Sequence, residues 1–567
     1  MFTGASRFGL ETYPYPSRRL PVFASRGMVA TSEPLAAQAG LRILQAGGNA
    51  IDAAIATAVA LTVLEPTCNG IGGDALALVW DGSKLHGLNG SGRALPVHSP
   101  KFFGDRGLEH VPPRGWLPVT IPGAPAAWRD LHQRFGRLPF EAVFEPAIEY
   151  AERGFPVGPV TAQRWQAAAA IYAATFGGEA ELRPWRDTFT RDGHAPKAGD
   201  LFALPDHART LRELASTGCE SFYTGRLAER IANFAASTGG FLSRRDLAGH
   251  LSSWVEPIST SYRGHDVWEL PPSTQGIAAL TALNILEGFD LARYARESVE
   301  SYHLQIEAIK LALGDAFRYV ADPDVVEVPW RRRLEKSYAE EQRRAIGETA
   351  LVTPPQVPPT GGTVFLCVAD GDGQMVSFIQ SNYSGWLLGF GSGVVVPDTG
   401  IALHARACGF TLEEHHPNVI APGKRPFHTL APAFLSEGGR AIGPFGMMGG
   451  PMQPQSHVQF VVNQVDYGMN PQAIVDAPRF QWISDNRVEA ELGVPSHVMQ
   501  GLLARGHEVR PCVDYAATPP RLSGRFIGSG GLAASGDFGK AQIIQRSKDG
   551  VYVGASDWRA DGCAVGY

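Results

Sequence analysis

The stretch GGTVFLCVADGDGQMVS, residues 361–377, decides the fold. Residues 364–369 are all apolar, and their alternation fits a strand that is buried on both faces. The turn residues DGDG at 370–373 follow, and a second apolar run returns, so the pattern predicts a β-hairpin. The preceding segment 353–359, TPPQVPP, reads as a connector. Thr363 therefore lies where a connector becomes a buried strand.

The hydroxyl of Thr363 has two interpretations. Threonine is common in strands, so a simple β-forming role is the ordinary one. If the peptide bond before Thr363 were cut, however, a free α-amine would lie beside the hydroxyl and could act as its general base. An α-amine has an unperturbed pKa of about 7.7–8.0, close to working pH. Thr363 is therefore a candidate autoprocessing nucleophile.

The composition and net charge of the chain indicate which classes of molecule it can bind. The chain has 567 residues, of which 44% are hydrophobic, so it can bury a large core. Its formal net charge is -6 and its isoelectric point is near 6.3, with no basic stripe. These values disfavour nucleic acid and anionic membranes as partners and favour a small-molecule substrate.

Cysteine usage and the N-terminus predict a cytoplasmic protein. The six cysteines are scattered and form no CxxC motif, which argues against a zinc site or a compact disulfide framework. Residues 1–19 lack a basic start followed by an apolar block of signal-peptide length. The most apolar stretch, residues 49–66, is shorter than the roughly 20 residues of a membrane span, so we expect a buried helix.

The rest of the chain indicates an α+β protein. Helical spacing on either side of Gly47 and Gly48 predicts two helices, and a period-two hairpin follows from residue 75. Residues 125–345 are mostly helical in pattern, whereas strands and turns prevail after residue 359. Helices and a hairpin thus come first, and strands follow.

Several stretches resemble the γ-glutamyltransferase family of N-terminal nucleophile hydrolases, in family order over residues 25–500. They include MVATSEPLAAQAGLRILQAGGNAIDAAIATAVALTVLEPTCNGIGGDALALVWDG (28–82), PPSTQGIAALTALNILEGFDL (271–291), HLQIEAIKLALGDAFRYVADPD (303–324), GGTVFLCVADGDGQMVS (361–377), PGKRPFHTLAPAF (422–434) and VDYGMNPQAIVDAPRF (465–480). The resemblance implies a four-layer αββα sandwich, made as a precursor that cleaves itself between Gly362 and Thr363.

The implied products are a large subunit, residues 1–362, and a small subunit, residues 363–567. They share one core and stay associated, and we expect a dimer of such heterodimers. The implied mechanism uses neither a metal nor a cofactor. The spacing of His404, His415, His416 and His428 fits no ligand motif, so we expect surface or hydrogen-bonding histidines.

The resemblance also assigns catalytic roles. Thr363 is the nucleophile, and Ser381 takes the place of a second threonine that hydrogen-bonds it. The backbone N–H groups of Gly449 and Gly450 form the oxyanion hole, although a Gly-Gly pair alone would indicate a turn. Arg93 binds the α-carboxylate of the substrate, although by itself it would read as a surface arginine.

The remaining substrate-binding assignments are Asn382, Tyr383, Arg406, His428 and Thr429. His428 and Thr429 replace the paired serines of the family. In γ-glutamyl-specific members an acidic residue holds the α-ammonium of the substrate, but Arg406 and Gly409 stand at the aligned positions here.

Three functions follow from these matches and departures. The first is a hydrolase or transferase of γ-glutamyl, glutathione-like amides, which is the reading the family favours. The second is an acylase for amides whose acyl group carries a carboxylate but no α-amine, such as glutaryl amides, which the missing acid favours. The third is an unprocessed, non-catalytic relative, against which Thr363 and the glycine pair argue.

Overall fold

The computed structural model describes residues 19–175, 178–352, 362–383, 389–512 and 538–567. Gly361 and the proline-rich connector lie outside these ranges. The strands, in chain order, are β1 (Val22–Ala24), β2 (Gly27–Thr31), β3 (Asp74–Trp80), β4 (Leu85–Asn89), β5 (Phe155–Pro156), β6 (Leu201–Phe202), β7 (Ser253–Val255), β8 (Ile258–Tyr262), β9 (His265–Glu269), β10 (Val364–Asp370), β11 (Met375–Ser381), β12 (Ala433–Glu437), β13 (Arg440–Met448), β14 (Phe480–Ser484), β15 (Arg487–Glu491), β16 (Glu508–Cys512), β17 (Lys540–Arg546), β18 (Tyr552–Ser556) and β19 (Cys563–Gly566).

The α-helices lie between and after these strands. They are α1 (Pro34–Gln45), α2 (Ala50–Leu64), α3 (Pro100–Gly104), α4 (Ala124–Phe135), α5 (Phe140–Arg153), α6 (Pro159–Thr175), α7 (Arg183–Phe189), α8 (Pro205–Ser216), α9 (Glu220–Tyr223), α10 (Arg226–Ser237), α11 (Arg244–Ala248), α12 (Ile277–Leu286), α13 (Val299–Tyr319), α14 (Trp330–Arg333), α15 (Lys336–Arg343), α16 (Met452–Val465), α17 (Pro471–Asp476) and α18 (Ser496–Ala504). Two short 3-10 helices span Leu291–Arg293 and Arg406–Gly409.

Two seven-stranded sheets form the centre of the molecule. The front sheet has the strand order β19-β2-β10-β11-β3-β4-β7, and the back sheet has the order β1-β18-β17-β13-β12-β9-β8. Helices α1 and α2 pack on the front sheet, and α12, α16 and α17 pack on the back sheet. The sheets contact each other through β10, β11 and β2 on one side and β13, β17 and β18 on the other. The expected four-layer αββα sandwich is confirmed.

The hairpin β10–β11 forms the centre of the front sheet and has the predicted alternation. Leu366 and Val368 belong to the core under the helices, whereas Phe365 and Cys367 belong to the core between the two sheets. A Cβ atom at Gly446 of β13 would lie 2.8 Å from the Phe365 ring, so the glycine permits the close approach of the sheets.

The apolar stretch 49–66 forms the buried helix α2. Asn49 and Asp52 make a reciprocal capping box at its start, and every residue of α2 is buried. All six cysteines carry free thiols. Within the described ranges, every helix is too short or too polar to cross a bilayer.

Candidate active site

Strand register aligns three polar residues across the front sheet. Val364 pairs with Gln380, so the preceding residue, Thr363, comes opposite Ser381, and Ser381 pairs with Asp74 on β3. Side chains alternate between the two faces of a sheet. Thr363, Ser381 and Asp74 therefore share the face that contains Phe365, between the two sheets.

The Ser381 hydroxyl lies against the predicted scissile bond. Its Oγ donates to the carbonyl oxygen of Gly362 at 2.6 Å and accepts from the backbone N–H of Tyr383 at 2.9 Å. The Oγ1 atom of Thr363 is buried and has no hydrogen-bond partner among the described residues. The structure thus presents an uncommitted hydroxyl beside a carbonyl that is already polarised by a donor.

Gly449 and Gly450 form a strand-to-helix turn between β13 and α16. Their φ angles are 141° and 56°, a region that favours glycine. The side-chain amide of Gln275 donates to the carbonyl of Gly450 at 2.8 Å and to that of Thr429 at 2.6 Å. Gln275 therefore fixes the glycine turn relative to the segment that contains Thr429.

Asp74 is the centre of a buried polar cluster. Its Oδ2 accepts from Arg406 Nε at 3.1 Å and lies 3.2 Å from His428 Nε2 and 3.3 Å from His404 Nδ1. Its Oδ1 accepts from the backbone N–H of Gly92 at 3.1 Å. The Asp74 carboxylate thus holds together groups from three other segments of the chain.

Electrostatics keep Asp74 ionised. Burial alone would raise the pKa of Asp74, but the neighbouring His404 and His428 bring it well below its usual range. Burial, aided by the charge of Arg406, lowers the pKa of His428 to about 4. At neutral pH the cluster therefore pairs a carboxylate with a guanidinium, beside a neutral His428.

Arg406 connects this cluster, through Tyr383, to Ser381. Its Nη1 donates to Thr429 Oγ1 at 3.3 Å, and its Cζ lies 4.4 Å from the centre of the Tyr383 ring. Tyr383 in turn donates its backbone N–H to Ser381. The Nη2 atom of the buried Arg406 side chain has no hydrogen-bond partner in the described part of the chain.

Arg93 is engaged elsewhere. Its Nη1 donates to Asp322 at 3.1 Å and to the carbonyl of Gly423 at 2.9 Å, and its Nη2 donates to Asp324 at 2.7 Å. Its side chain is 33% exposed. The structure therefore gives the Arg93 guanidinium two carboxylate partners from its own chain.

The structure also shows the surroundings of two other residues from the sequence analysis, Asn382 and Gly409. The side-chain amide of Asn382 donates to the carbonyls of Pro66 and Asn69 at 3.5 and 3.3 Å, so it fixes the loop after α2. A Cβ atom at Gly409 would lie 2.5 Å from the carbonyl oxygen of Phe427. The missing acid at Gly409 thus coincides with a position that has no room for a side chain.

Sequence reasoning missed Asp74 and Gln275. It expected His404 to be a surface or hydrogen-bonding histidine, and His404 is a buried one whose Nε2 lies 2.9 Å from Thr120 Oγ1. The available signal for Asp74 was an acidic residue at the first position of a strand that is otherwise apolar, DALALVW. Such a buried carboxylate needs partners. No comparable signal marked Gln275, whose two acceptors lie more than 150 residues away.

A second buried cluster has the donor types of a metal site. His303, Glu307 and His507 place their ligand atoms close together. However, the Lys310 ammonium lies 2.7 Å from Glu307 Oε1 and supplies a cation there. His303 Nδ1 also lies 2.8 Å from His507 Nε2, within hydrogen-bond range. Among the described residues, Lys310 thus supplies a positive charge to Glu307, and the two histidines lie within hydrogen-bond range of each other.

Comparisons with known proteins agree along the length of the chain. The family model described as Gamma-glutamyltranspeptidase matches residues 36–567. A glutathione hydrolase-like proenzyme, YwrD, of Bacillus subtilis is 35% identical over 96% of this chain and 99% of its own. The Acylase ACY 1 proenzyme of Pseudomonas sp. strain SE83 is 34% identical over 97% and 95%. A crystal structure of cephalosporin acylase from Bacillus halodurans has 49% identity and a TM-score of 0.91, with 99% of both chains covered.

Proposed function

The chain belongs to the gamma-glutamyltranspeptidase family and is an enzyme that acts on amide bonds, and from this premise we propose that it is an autoprocessed amidase with Thr363 as nucleophile. The observation that carries the proposal is the 2.6 Å hydrogen bond from Ser381 Oγ to the carbonyl of Gly362. The uncommitted, buried hydroxyl of Thr363 supports it. Relatives that are named hydrolases and acylases argue against the unprocessed, non-catalytic alternative.

Self-cleavage would proceed as an acyl shift. Thr363 Oγ1 attacks the carbonyl carbon of Gly362, and the O–C bond forms as the C–N bond breaks. The hydroxyl proton passes to the nitrogen. Ser381 donates to the oxygen on which negative charge develops. Water then hydrolyses the ester, which leaves a carboxylate on Gly362 and a free α-amine and hydroxyl on Thr363.

The processed enzyme would repeat this chemistry on a substrate amide. The α-amine of Thr363 takes the Oγ1 proton, Oγ1 bonds to the acyl carbon, and the amine product leaves with a proton. The N–H groups of Gly449 and Gly450 stabilise the tetrahedral oxyanion. Water or a second amine then attacks the ester and returns the proton to Oγ1.

The sheet topology supports subunits that stay together after cleavage. The hairpin β10–β11 of the proposed small subunit lies between β2 and β3 of the large subunit. In the back sheet, β12 of the small subunit pairs with β9 of the large one. Separation would break both sheets. A dimer of such heterodimers and a cytoplasmic location are further parts of this proposal.

In the interpretation that family membership favours, the acyl donor is a γ-glutamyl, glutathione-like amide. Relatives named glutathione hydrolases support it. The alternative donor carries a carboxylate without an α-amine, as in a glutaryl or small dicarboxylic monoamide. Relatives named acylases and the absence of an acid at Gly409 support this alternative.

A donor panel tests the reaction class. We expect purified enzyme to release aniline from acyl anilides, with an initial burst of aniline while the acyl-enzyme forms. The acyl group should be recovered on the peptide that begins with Thr363. Thr363→Ala should abolish both signals. Turnover by Thr363→Ala at the wild-type rate would contradict the assignment of the nucleophile.

A further inference from the structure

We propose that the buried ion pair of Lys540 and Glu65 is a positioning device for the reaction. It holds the glycine turn 449–450 in register with the strand that follows Thr363. This inference rests on the proposed function, because it takes Thr363 as the nucleophile and the N–H groups of the glycine turn as the oxyanion hole. Lys540 and Glu65 act through the backbone around them and do not touch the substrate.

The pair connects the back sheet to the front sheet and its helix α2. Lys540 begins β17 of the back sheet, and its Nζ lies 2.9 Å from Oε1 of Glu65. The second carboxylate oxygen, Oε2, accepts from Ser32 Oγ at 2.5 Å. The two charged side chains are only 2% and 1% exposed. A charge left unpaired in such surroundings is strongly unfavourable, so the elements that carry the two residues are held together.

Contacts between the two sheets show which residues face Thr363. On β10, Cys367 Sγ lies 3.4 Å from the carbonyl oxygen of Pro444 and 3.6 Å from that of Gln542. Nearer the start of β10, Phe365 lies against Gly446, where a Cβ atom would be 2.8 Å from the ring. As β10 is followed back toward its start, its inter-sheet residues therefore meet β13 residues of increasing number.

The next step in this pattern brings Thr363 to the level of Met448 and Lys540. These two residues pair with each other across β13 and β17, and side chains on one face of a strand recur at every second residue. Gly449 follows Met448, and Gly539 precedes Lys540. A Cβ atom at Gly449 would lie 3.2 Å from Gly539 Cα, so the backbone next to Lys540 packs directly against the glycine turn.

The Glu65 end of the pair is tied to both strands that flank β10. Ser32 follows β2 directly, and the register of β2 with β10 brings it opposite Phe365. The loop 66–69 follows Glu65, and its carbonyls accept from the side-chain amide of Asn382 at 3.5 and 3.3 Å. Asn382 follows β11 directly. Glu65 is thus connected, through Ser32 and its own loop, to the front sheet on either side of the nucleophile.

Two other buried carboxyl groups, those of Glu33 and Asp561, lie close enough to interact with this pair through their charge. Both already accept hydrogen bonds from backbone N–H groups at helix starts. Burial raises the pKa of Glu33 to about 8, and it also raises the pKa of Asp561. Among the described residues, Glu65 is therefore the carboxylate that pairs with Lys540.

The test measures steady-state aniline release from whichever of the γ-glutamyl and glutaryl anilides the wild type cleaves faster. Lys540→Met removes the ammonium and leaves the Glu65 carboxylate without its cation. We expect kcat to fall by about 10- to 100-fold while KM stays within about threefold, because a displaced oxyanion turn misplaces the reacting groups.

A double variant separates positioning from stability. Glu65→Gln combined with Lys540→Met removes both charges, and an uncharged buried pair of similar volume restores much of the stability. We expect its unfolding midpoint in urea to recover relative to that of Lys540→Met, whereas kcat stays at least about tenfold below wild type. A pair with a merely structural role would recover both.

Lys310 and Glu307 supply a matched control pair away from the two facing strands. Lys310 Nζ lies 2.7 Å from Glu307 Oε1, and both side chains are fully buried on α13, which packs on α12 and α16. We expect Lys310→Met to lower the urea midpoint about as much as Lys540→Met does, but to keep kcat within about twofold of wild type.

Four results would overturn the inference: a kcat of Lys540→Met close to that of wild type, a loss confined to KM, an equal loss of kcat in Lys310→Met, or a double variant that regains kcat. If Lys540→Met does not fold or is not processed, Ser32→Ala decides, since it removes only the hydrogen bond to Glu65 Oε2. It should lower kcat by about three- to tenfold, and an unchanged kcat would overturn the inference. A wild type that cleaves neither anilide, or cleaves them without Thr363, marks instead a failure of the proposed function.

Discussion

Replacing Ser381 by alanine removes one hydroxyl that makes two hydrogen bonds. The first, to the Gly362 carbonyl at 2.6 Å, should matter for the rate of self-cleavage. The second, from the Tyr383 N–H at 2.9 Å, should matter for the stability of the fold. Ser381→Ala therefore has two separable consequences, which different measurements report.

The magnitudes follow from these two bonds. Loss of one oxyanion donor lowers a rate by about 100- to 1000-fold, or roughly 2.7–4 kcal/mol of activation free energy. Loss of the acceptor removes the hydrogen bond from the buried Tyr383 N–H, which destabilises the fold by about 0.5–1.5 kcal/mol. Ser381→Thr keeps a hydroxyl and should recover most of the cleavage rate.

The assay follows the conversion of full-length chain into two fragments on denaturing gels after synthesis is stopped. Ser377→Ala is the matched control, because Ser377 lies on the same face of β11 and its Oγ has no partner among the described residues. Urea unfolding measures stability separately. Cleavage of Ser381→Ala as fast as that of Ser377→Ala would refute the role of the hydroxyl.

Three further predictions concern other buried groups. Glu307→Gln leaves the Lys310 ammonium without its carboxylate at 2.7 Å and should lower the free energy of unfolding in urea by about 3–5 kcal/mol; a loss below 1 kcal/mol would contradict this. Gln275→Ala frees the Gly450 carbonyl and should lower kcat by up to about 100-fold with little change in KM, so that an unchanged kcat would exclude its positioning role. Burial lowers the pKa of His207 to about 3. As the pH falls, the unfolded chain therefore takes up a proton on His207 at a higher pH than the folded chain does. The associated stability is complete above pH 6.5 and is lost as pH falls, by about 2 kcal/mol at pH 5. His207→Gln should flatten this slope in unfolding titrations, and an unaltered slope would contradict it.

The hairpin, and the position of Thr363 directly before it, could be predicted because their signals are local. Residues 364–369 alternate between the core under the helices and the core between the two sheets. A continuous apolar run of strand length indicates a strand that is buried on both faces in this way. The turn at 370–373 fixes the register, which in turn places Thr363 opposite Ser381.

The Asp74 cluster could not be predicted because its members are distant in sequence. His404, Arg406 and His428 reach Asp74 only after β3 and the segments around residues 404–429 are brought together. The ion pairs of Arg93 could not be predicted for the same reason, since its carboxylate partners are more than 200 residues away. Sequence identifies which residues can carry charge, whereas tertiary contacts decide which charges are already paired.

The mass of the two chains in the purified protein tests the central claim most directly. The account predicts a fragment that ends at Gly362 and a fragment whose first residue is Thr363 with a free α-amine, while Thr363→Ala stays intact at full length. A wild-type protein that stays uncleaved, a fragment that begins at another residue, or cleavage of Thr363→Ala at the same bond would contradict it.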